Sequence, residues 1–209
     1  MIVNPALEQY MADLLPARDP LLAEMEAYAY ANKINIIGPG CASILAQLVL
    51  LSGARRIFEL GSAIGYSTIW LARAAGPGAE IHYSDGDPAN ASRARDYFTR
   101  AGLADRITVH TGDALTALAS TTGEFDMIFN DVDKEGYPDV LDVAPDRVRP
   151  GGVFVTDNTL WKAKVLDPQD DETEGVDTFN RRLFADPRFL TSLIPLRDGM
   201  TLGIKLRRQ

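Results

Sequence analysis

Phe58-Glu59-Leu60-Gly61-Ser62-Ala63-Ile64-Gly65-Tyr66-Ser67 decides how the chain is read. The apolar run from Ala54 to Leu60 has the composition of a buried strand, and Tyr66 to Ala75 that of a helix. A glycine turn joins them. Gly61 lets the backbone turn sharply and leaves room for a ligand to approach. Gly65 opens the helix, whose free N–H groups and dipole favour a polar or anionic ligand group. Glu59 is an acid at the carboxyl end of an apolar strand, the edge where open α/β sheets bind ligands. Taken alone, the two glycines fit a plain packing corner equally well.

Outward from this turn, strands and helices alternate. Strands are predicted at Glu80–Ser84, Ile107–Thr111, Phe125–Asn130 and Val153–Thr156, with helices at Pro88–Ala101, Ala114–Ala119, Tyr137–Val148 and Thr173–Ala185. Phe189–Leu196 and Thr201–Leu206 flank Arg197-Asp198-Gly199 and read as a closing antiparallel pair. The pattern predicts an α/β fold: a doubly wound, mostly parallel, Rossmann-like sheet with helices on both faces. Before it, Pro5–Leu15, Pro20–Asn32 and Cys41–Ser52 read as helices, and Lys33–Gly40 as a loop. Residues 1–53 are thus a helical extension to a core at 54–209, within one domain. The acidic stretch Asp167–Glu174 reads as a mobile loop.

Each strand end delivers polar residues to the same edge. Asp85 follows the second strand, 24 positions after Gly61, where an acid can accept hydrogen bonds from ribose hydroxyls. Gly112-Asp113-Ala114 follows the third, and Asp113 alone is best read as a helix cap. Asp131 follows the fourth strand; Asp157 and Asn158 follow the fifth. Three hard oxygen donors from neighbouring strand ends suit Mg²⁺ or another divalent cation such as Ca²⁺ or Mn²⁺. Lys134 opposes the dipole of the helix it opens, so it is oddly placed for stability alone. Beside a cation it suits a general base; as an ordinary lysine it would be solvated surface.

The 209 residues carry a net charge of −8, with 46% hydrophobic and 24% charged residues, an ordinary globular composition. The acidic balance disfavours nonspecific binding to nucleic acid or anionic membrane. A single cysteine, Cys41, excludes an internal disulfide and fits a reducing cytoplasm. No apolar run is long enough for a membrane span, and Met1 to Asp13 lacks a signal-peptide pattern.

Taken together, the motifs resemble a known family. Glu59 to Ser67 is similar to the cofactor loop of class I S-adenosylmethionine methyltransferases. Asp131-Val-Asp-Lys134-Glu-Gly-Tyr137 and Asp157-Asn158-Thr159-Leu160-Trp161 resemble the metal and catalytic motifs of the cation-dependent O-methyltransferases, the family of catechol and caffeoyl-CoA O-methyltransferases. The likeness runs from about Ile34 to Leu206. It implies a seven-stranded sheet with its last strand antiparallel, S-adenosyl-L-methionine as methyl donor, a small hydroxylated acceptor and a homodimer. It implies that Ile37, Glu59, Gly61, Ser62, Gly65, Tyr66, Ser67, Asp85, Gly112, Asp113, Ala114 and Asp131 surround the cofactor. Asp131, Asp157 and Asn158 would hold the metal, Lys134 would be the base with Asp131 beside it, and Trp161 and Asp198 would border the acceptor. Arg197 departs from the glycine that close relatives carry there, and either reshapes the acceptor pocket or recruits an acidic substrate.

Three rivals share parts of this pattern. A NAD-dependent dehydrogenase would share the glycine turn and Asp85, but Gly61-x-x-x-Gly65 is not Gly-x-Gly-x-x-Gly, and hydride transfer has no use for the Asp131 group. A tRNA methyltransferase acting on a hydroxylated wobble uridine would need a basic patch, for which Arg93, Arg95, Arg100, Arg106, Arg181, Arg182, Arg207 and Arg208 are candidates. A non-catalytic binding protein would have little reason to keep the acid, amide and lysine together.

Overall fold

The structure, a computed structural model, describes residues 5–207. Seven strands form one sheet: β1 Arg56–Leu60, β2 Glu80–Asp85, β3 Ile107–Thr111, β4 Phe125–Asn130, β5 Val148–Asp157, β6 Phe189–Ile194 and β7 Met200–Lys205. Their order is β3-β2-β1-β4-β5-β7-β6. The first five are parallel, and β7 runs antiparallel between β5 and β6. The chain winds outward from β1 to β3 and then returns to place β4 against the other side of β1. This reversal opens a crevice outside the carboxyl ends of β1 and β4.

Period-2 alternation sends each strand's side chains to two separate cores. Ile57, Met127, Phe129, Val153 and Val155 pack on one face, under helices α2 (Pro20–Asn32), α3 (Pro39–Ser52), α4 (Tyr66–Ala75) and α5 (Pro88–Arg100). Phe58, Leu60, Ile128, Val148 and Phe154 pack on the other, under α6 (Ala114–Ser120), α7 (Tyr137–Arg147) and α8 (Asp171–Ala185). Burying one such side chain contributes about 1.5–3 kcal/mol. Aspartates set the helix starts: Asp19 caps α2, Asp87 caps α5 and Asp170 caps α8 through backbone N–H groups.

Two expectations change. The fifth strand begins at Val148, not Val153; Pro150 and Gly151 sit where the β4–β5 register shifts, so the ladder tolerates them at an irregularity. The acidic 167–174 stretch is not all loop. Asp171, Glu172 and Glu174 form the first turn of α8, where acids complement the dipole. Helix α1 (Pro5–Leu14) keeps its apolar face outward, with Leu7, Tyr10 and Leu14 exposed. Among the described residues no helix is long and apolar enough to cross a membrane.

Candidate active site

The crevice has a volume of about 1150 Å³ and is walled by strand ends, by α2, by the 34–39 loop and by the 157–162 segment. At one end it gathers Asp131, Lys134, Asp157, Asn158, Trp161 and Asp198. Lys134 is buried at the start of a short 3-10 turn, Lys134–Gly136, ahead of α7. Its Nζ donates to Asp131 Oδ1 at 2.9 Å and to the Val132 carbonyl at 3.1 Å. It lies 4.9 Å from the Tyr137 ring centre and 5.6 Å from that of Trp161. The reading of Lys134 as solvated surface is therefore excluded.

Asp157 is 2% exposed and its Oδ1 has no hydrogen-bond partner. Burial, with the Asp131 carboxylate adding repulsion, raises its pKa to about 7. Burial also raises Asp131, against the pull of Lys134. Asn158 adopts φ 57°, and its Nδ2 reaches Asp157 Oδ2 at 3.4 Å. Among the described residues no three His, Cys, Asp or Glu side chains gather as a metal cluster. The set at hand is two carboxylates and an amide. Its orphaned buried oxygen and its like-charge repulsion are both relieved by a hard divalent cation, so these residues could hold one.

At the other end lie Gly61, Ala63, Asp85, Gly112, Asp113 and Ala114, with Ile37 from the facing loop. Asp85 accepts from Ala63 N at 2.8 Å, Asp87 N at 2.9 Å and Asn90 Nδ2 at 3.1 Å. It thereby ties the glycine turn to the β2–α5 loop. Asp113 accepts from Thr116 N at 2.7 Å and is the cap of α6 as well as a crevice residue. Glu59 is fully buried beneath the turn. Its Oε2 accepts from the Thr68 hydroxyl, and its Oε1 has no partner. Burial raises its pKa to about 7, with the Ser67, Thr68 and Ser62 hydroxyls pulling the other way. An unpaired buried carboxylate oxygen at this strand end fits a cationic ligand group.

Several expected residues do not line the crevice. Glu59, Ser62 and Ser67 are buried behind it. Tyr66 turns away, and its hydroxyl donates to Glu26 Oε1 at 2.7 Å. At Gly65 a Cβ would meet Phe98 Cζ at 2.5 Å, so that glycine serves the packing of α4 on α5. Asp198 does line the crevice, but its Oδ1 accepts from Lys162 N at 2.9 Å, clamping the segment that carries Asn158 and Trp161. Other contributors were missed. Tyr137 donates to the Asp157 carbonyl at 2.7 Å, Thr68 holds Glu59, and Glu26 and Tyr30 bring α2 to the crevice. Tyr137 sits inside the Asp131–Tyr137 motif, so a signal for it existed; nothing local marks Glu26.

Residues 16–206 match the family described as O-methyltransferase. Catechol O-methyltransferase of Niastella koreensis is 34% identical over 212 residues, 95% of this chain and 96% of that protein. Caffeoyl-CoA O-methyltransferase 2 of Petunia hybrida is 29% identical, covering 97% and 91% respectively. The O-methyltransferase from Bacillus cereus, solved in complex with SAH, superposes with a TM-score of 0.87 at 32% identity over 96% of this chain and 97% of that one. A sheet with this strand order, a crevice at its switch point and a match across nearly the whole length make this chain a member of the O-methyltransferase family, of the catechol and caffeoyl-CoA type.

Proposed function

We propose that the chain is an S-adenosylmethionine-dependent, divalent-cation-dependent O-methyltransferase acting on a small catechol-like or phenolic acceptor. The observation that carries this reading is the buried Lys134 bonded to Asp131, next to the unpartnered Oδ1 of Asp157. When bound, S-adenosylmethionine supplies an activated methyl group with its own leaving group, and the cation supplies charge that lowers hydroxyl pKa values. The chain's own part is alignment and proton removal. Asp131, Asp157 and Asn158 hold the cation. Lys134 Nζ, in its neutral form with one proton passed to the neighbouring Asp131 carboxylate, accepts the hydroxyl proton, and the Tyr137 and Trp161 rings shield it from water. Asp85 holds the ribose, Asp113 and Ala114 border the adenine, and Glu59, buried behind the glycine turn, attracts the ammonium end of the donor from beneath the crevice wall.

A small acceptor is favoured over tRNA because three of the eight candidate basic residues are already paired with acids. Arg100 pairs with Glu24, Arg181 with Asp177 and Arg182 with Asp142. Arg208 lies outside the described residues. The outward apolar face of α1, with Leu50 and Leu51 also exposed, is the surface proposed for a homodimer.

The test is methyl transfer from labelled S-adenosylmethionine to catechol. EDTA is expected to abolish turnover and Mg²⁺ to restore it; chelator-insensitive transfer would remove the cation. Lys134→Ala is expected to retain SAH binding and lose about 10²–10⁴-fold in kcat. Full activity in that variant would remove Lys134 as the base.

A further inference from the structure

The acceptor end of the crevice holds a guanidinium that is in no direct ion pair. Among the described residues, nine acids line the crevice: Glu26, Asp85, Asp87, Asp113, Asp131, Asp133, Asp157, Glu172 and Asp198. Three cations face them, namely Lys134, Lys162 and Arg197. Lys134 is committed to Asp131. Lys162 lies against the Trp161 ring, 5.7 Å from its centre. Arg197 forms no ion pair with another described residue; its guanidinium lies beside the Cys41 thiol, and its charge acts on Asp131 and Asp157.

Its placement is specific. Arg197 occupies the turn between β6 and β7 with φ 50°, in the left-handed region that L side chains rarely adopt. The turn is pinned on both sides of it. Gly199 N donates to the Leu196 carbonyl at 2.9 Å, and Leu160 N donates to the Asp198 carbonyl at 2.7 Å. From there the guanidinium lies across the 37–40 loop. A Cβ at Gly38 would meet Nη1 at 2.9 Å and Cζ at 3.2 Å, so the guanidinium packs directly against the Gly38 backbone. Arg197 is exposed while lining the crevice, and its charge acts on Asp131 and Asp157, so the fork of N–H donors stands at the mouth on their side.

We infer that Arg197 selects acceptors bearing a carboxylate, that is, ortho-dihydroxy aromatic acids, by pairing with that carboxylate at the crevice mouth. This rests on the O-methyltransferase reading and adds the class of acceptor. A guanidinium matches a carboxylate with two parallel N–H bonds, a geometry lysine cannot reproduce. In a crevice where nine acids outnumber three cations, an anion is best accommodated beside Arg197, whose forked donors are not paired with a carboxylate. Arg197 therefore sets where on the ring the carboxylate can lie, and the surrounding acids reject other placements.

The experiment compares kcat/KM for 3,4-dihydroxybenzoate and for catechol, with S-adenosylmethionine and Mg²⁺, in the full-length chain and in Arg197→Gly and Arg197→Lys. Glycine suits the left-handed backbone, so Arg197→Gly is expected to fold. Wild type is expected to prefer the acid. In Arg197→Gly the acid-to-catechol ratio should fall about 10-fold or more, through KM for the acid, as loss of a charge-assisted pair implies. Arg197→Lys should recover part of it. A ratio that moves less than about threefold, or equal losses on both acceptors, overturns the proposal and makes Arg197 a structural charge beside the acid pair. If wild type methylates neither compound, the catechol-type acceptor reading fails and takes this one with it; transfer to catechol alone refutes only the carboxylate.

Discussion

Glu59 is a buried acid with one oxygen held by Thr68 and the other unpaired. Burial lifts it from 4.5 to about 7, so near neutrality it is poised between its two forms. The folded value lies above the unfolded one. The stability Glu59 contributes is therefore complete below about pH 4.5 and is lost as the pH rises through about 7. The upper bound on that loss is roughly 3 kcal/mol. A ligand ammonium beside Oε1 turns this cost into binding energy, because it favours the ionised form. SAH affinity, measured by calorimetry, is expected to tighten by up to about 10-fold as the pH rises from about 6 to about 7, and to level off above. Glu59→Gln should weaken binding and flatten that profile. A wild-type affinity independent of pH in this range would exclude a charged contact with Glu59.

At the scale of elements, the β1–α4 turn and the end of β4 are built to touch. Gly61 has φ 78°, and a Cβ there would meet the Asp131 carbonyl oxygen, with Val132 N 2.8 Å away. All of these are backbone atoms fixed by the Asp131 N–H donation to the Leu60 carbonyl at 2.8 Å. The close approach sets Asp131 beside the turn, so cofactor loop and proposed metal end share one joint. Gly61→Ala combines a left-handed alanine with overpacking and is expected to cost about 2–5 kcal/mol. Its urea midpoint should drop accordingly, and SAH binding should weaken because Asp131 is displaced. A variant with the wild-type midpoint would show that the turn can yield without cost.

At the scale of the whole molecule, the crevice draws on nearly every layer: α2, the 34–39 loop, the ends of β1 to β5 and the segment clamped by Asp198. A ligand filling it bridges elements that otherwise meet only through the sheet. Its binding energy therefore adds to the stability of the whole unit. SAH at about 100 times its Kd should contribute about 2.7 kcal/mol. For a chain of this size that corresponds to an upward Tm shift of about 5–10 °C. Differential scanning calorimetry checks it, and a shift below about 1 °C at saturation would count against the crevice as the SAH site.

The sequence by itself determined the sheet, its winding and the edge where polar residues gather. Those follow from local periodicity and from the rule that parallel strands deliver their carboxyl ends to one side. The glycine turn at Glu59 to Ser67 was legible for the same reason, as were Asp85, Asp131 and Asp157, each directly after a strand. Tertiary structure alone decided which side chains face the crevice. Tyr66 turns toward Glu26, 40 positions earlier in the chain. Asp198 accepts from Lys162 N, and Lys134 leaves solvent for Asp131, Tyr137 and Trp161. The start of β5 at Val148 was likewise set by pairing with β4 across a shifted register. Burial and orientation depend on contacts between residues far apart in the chain, and no window of sequence contains both partners.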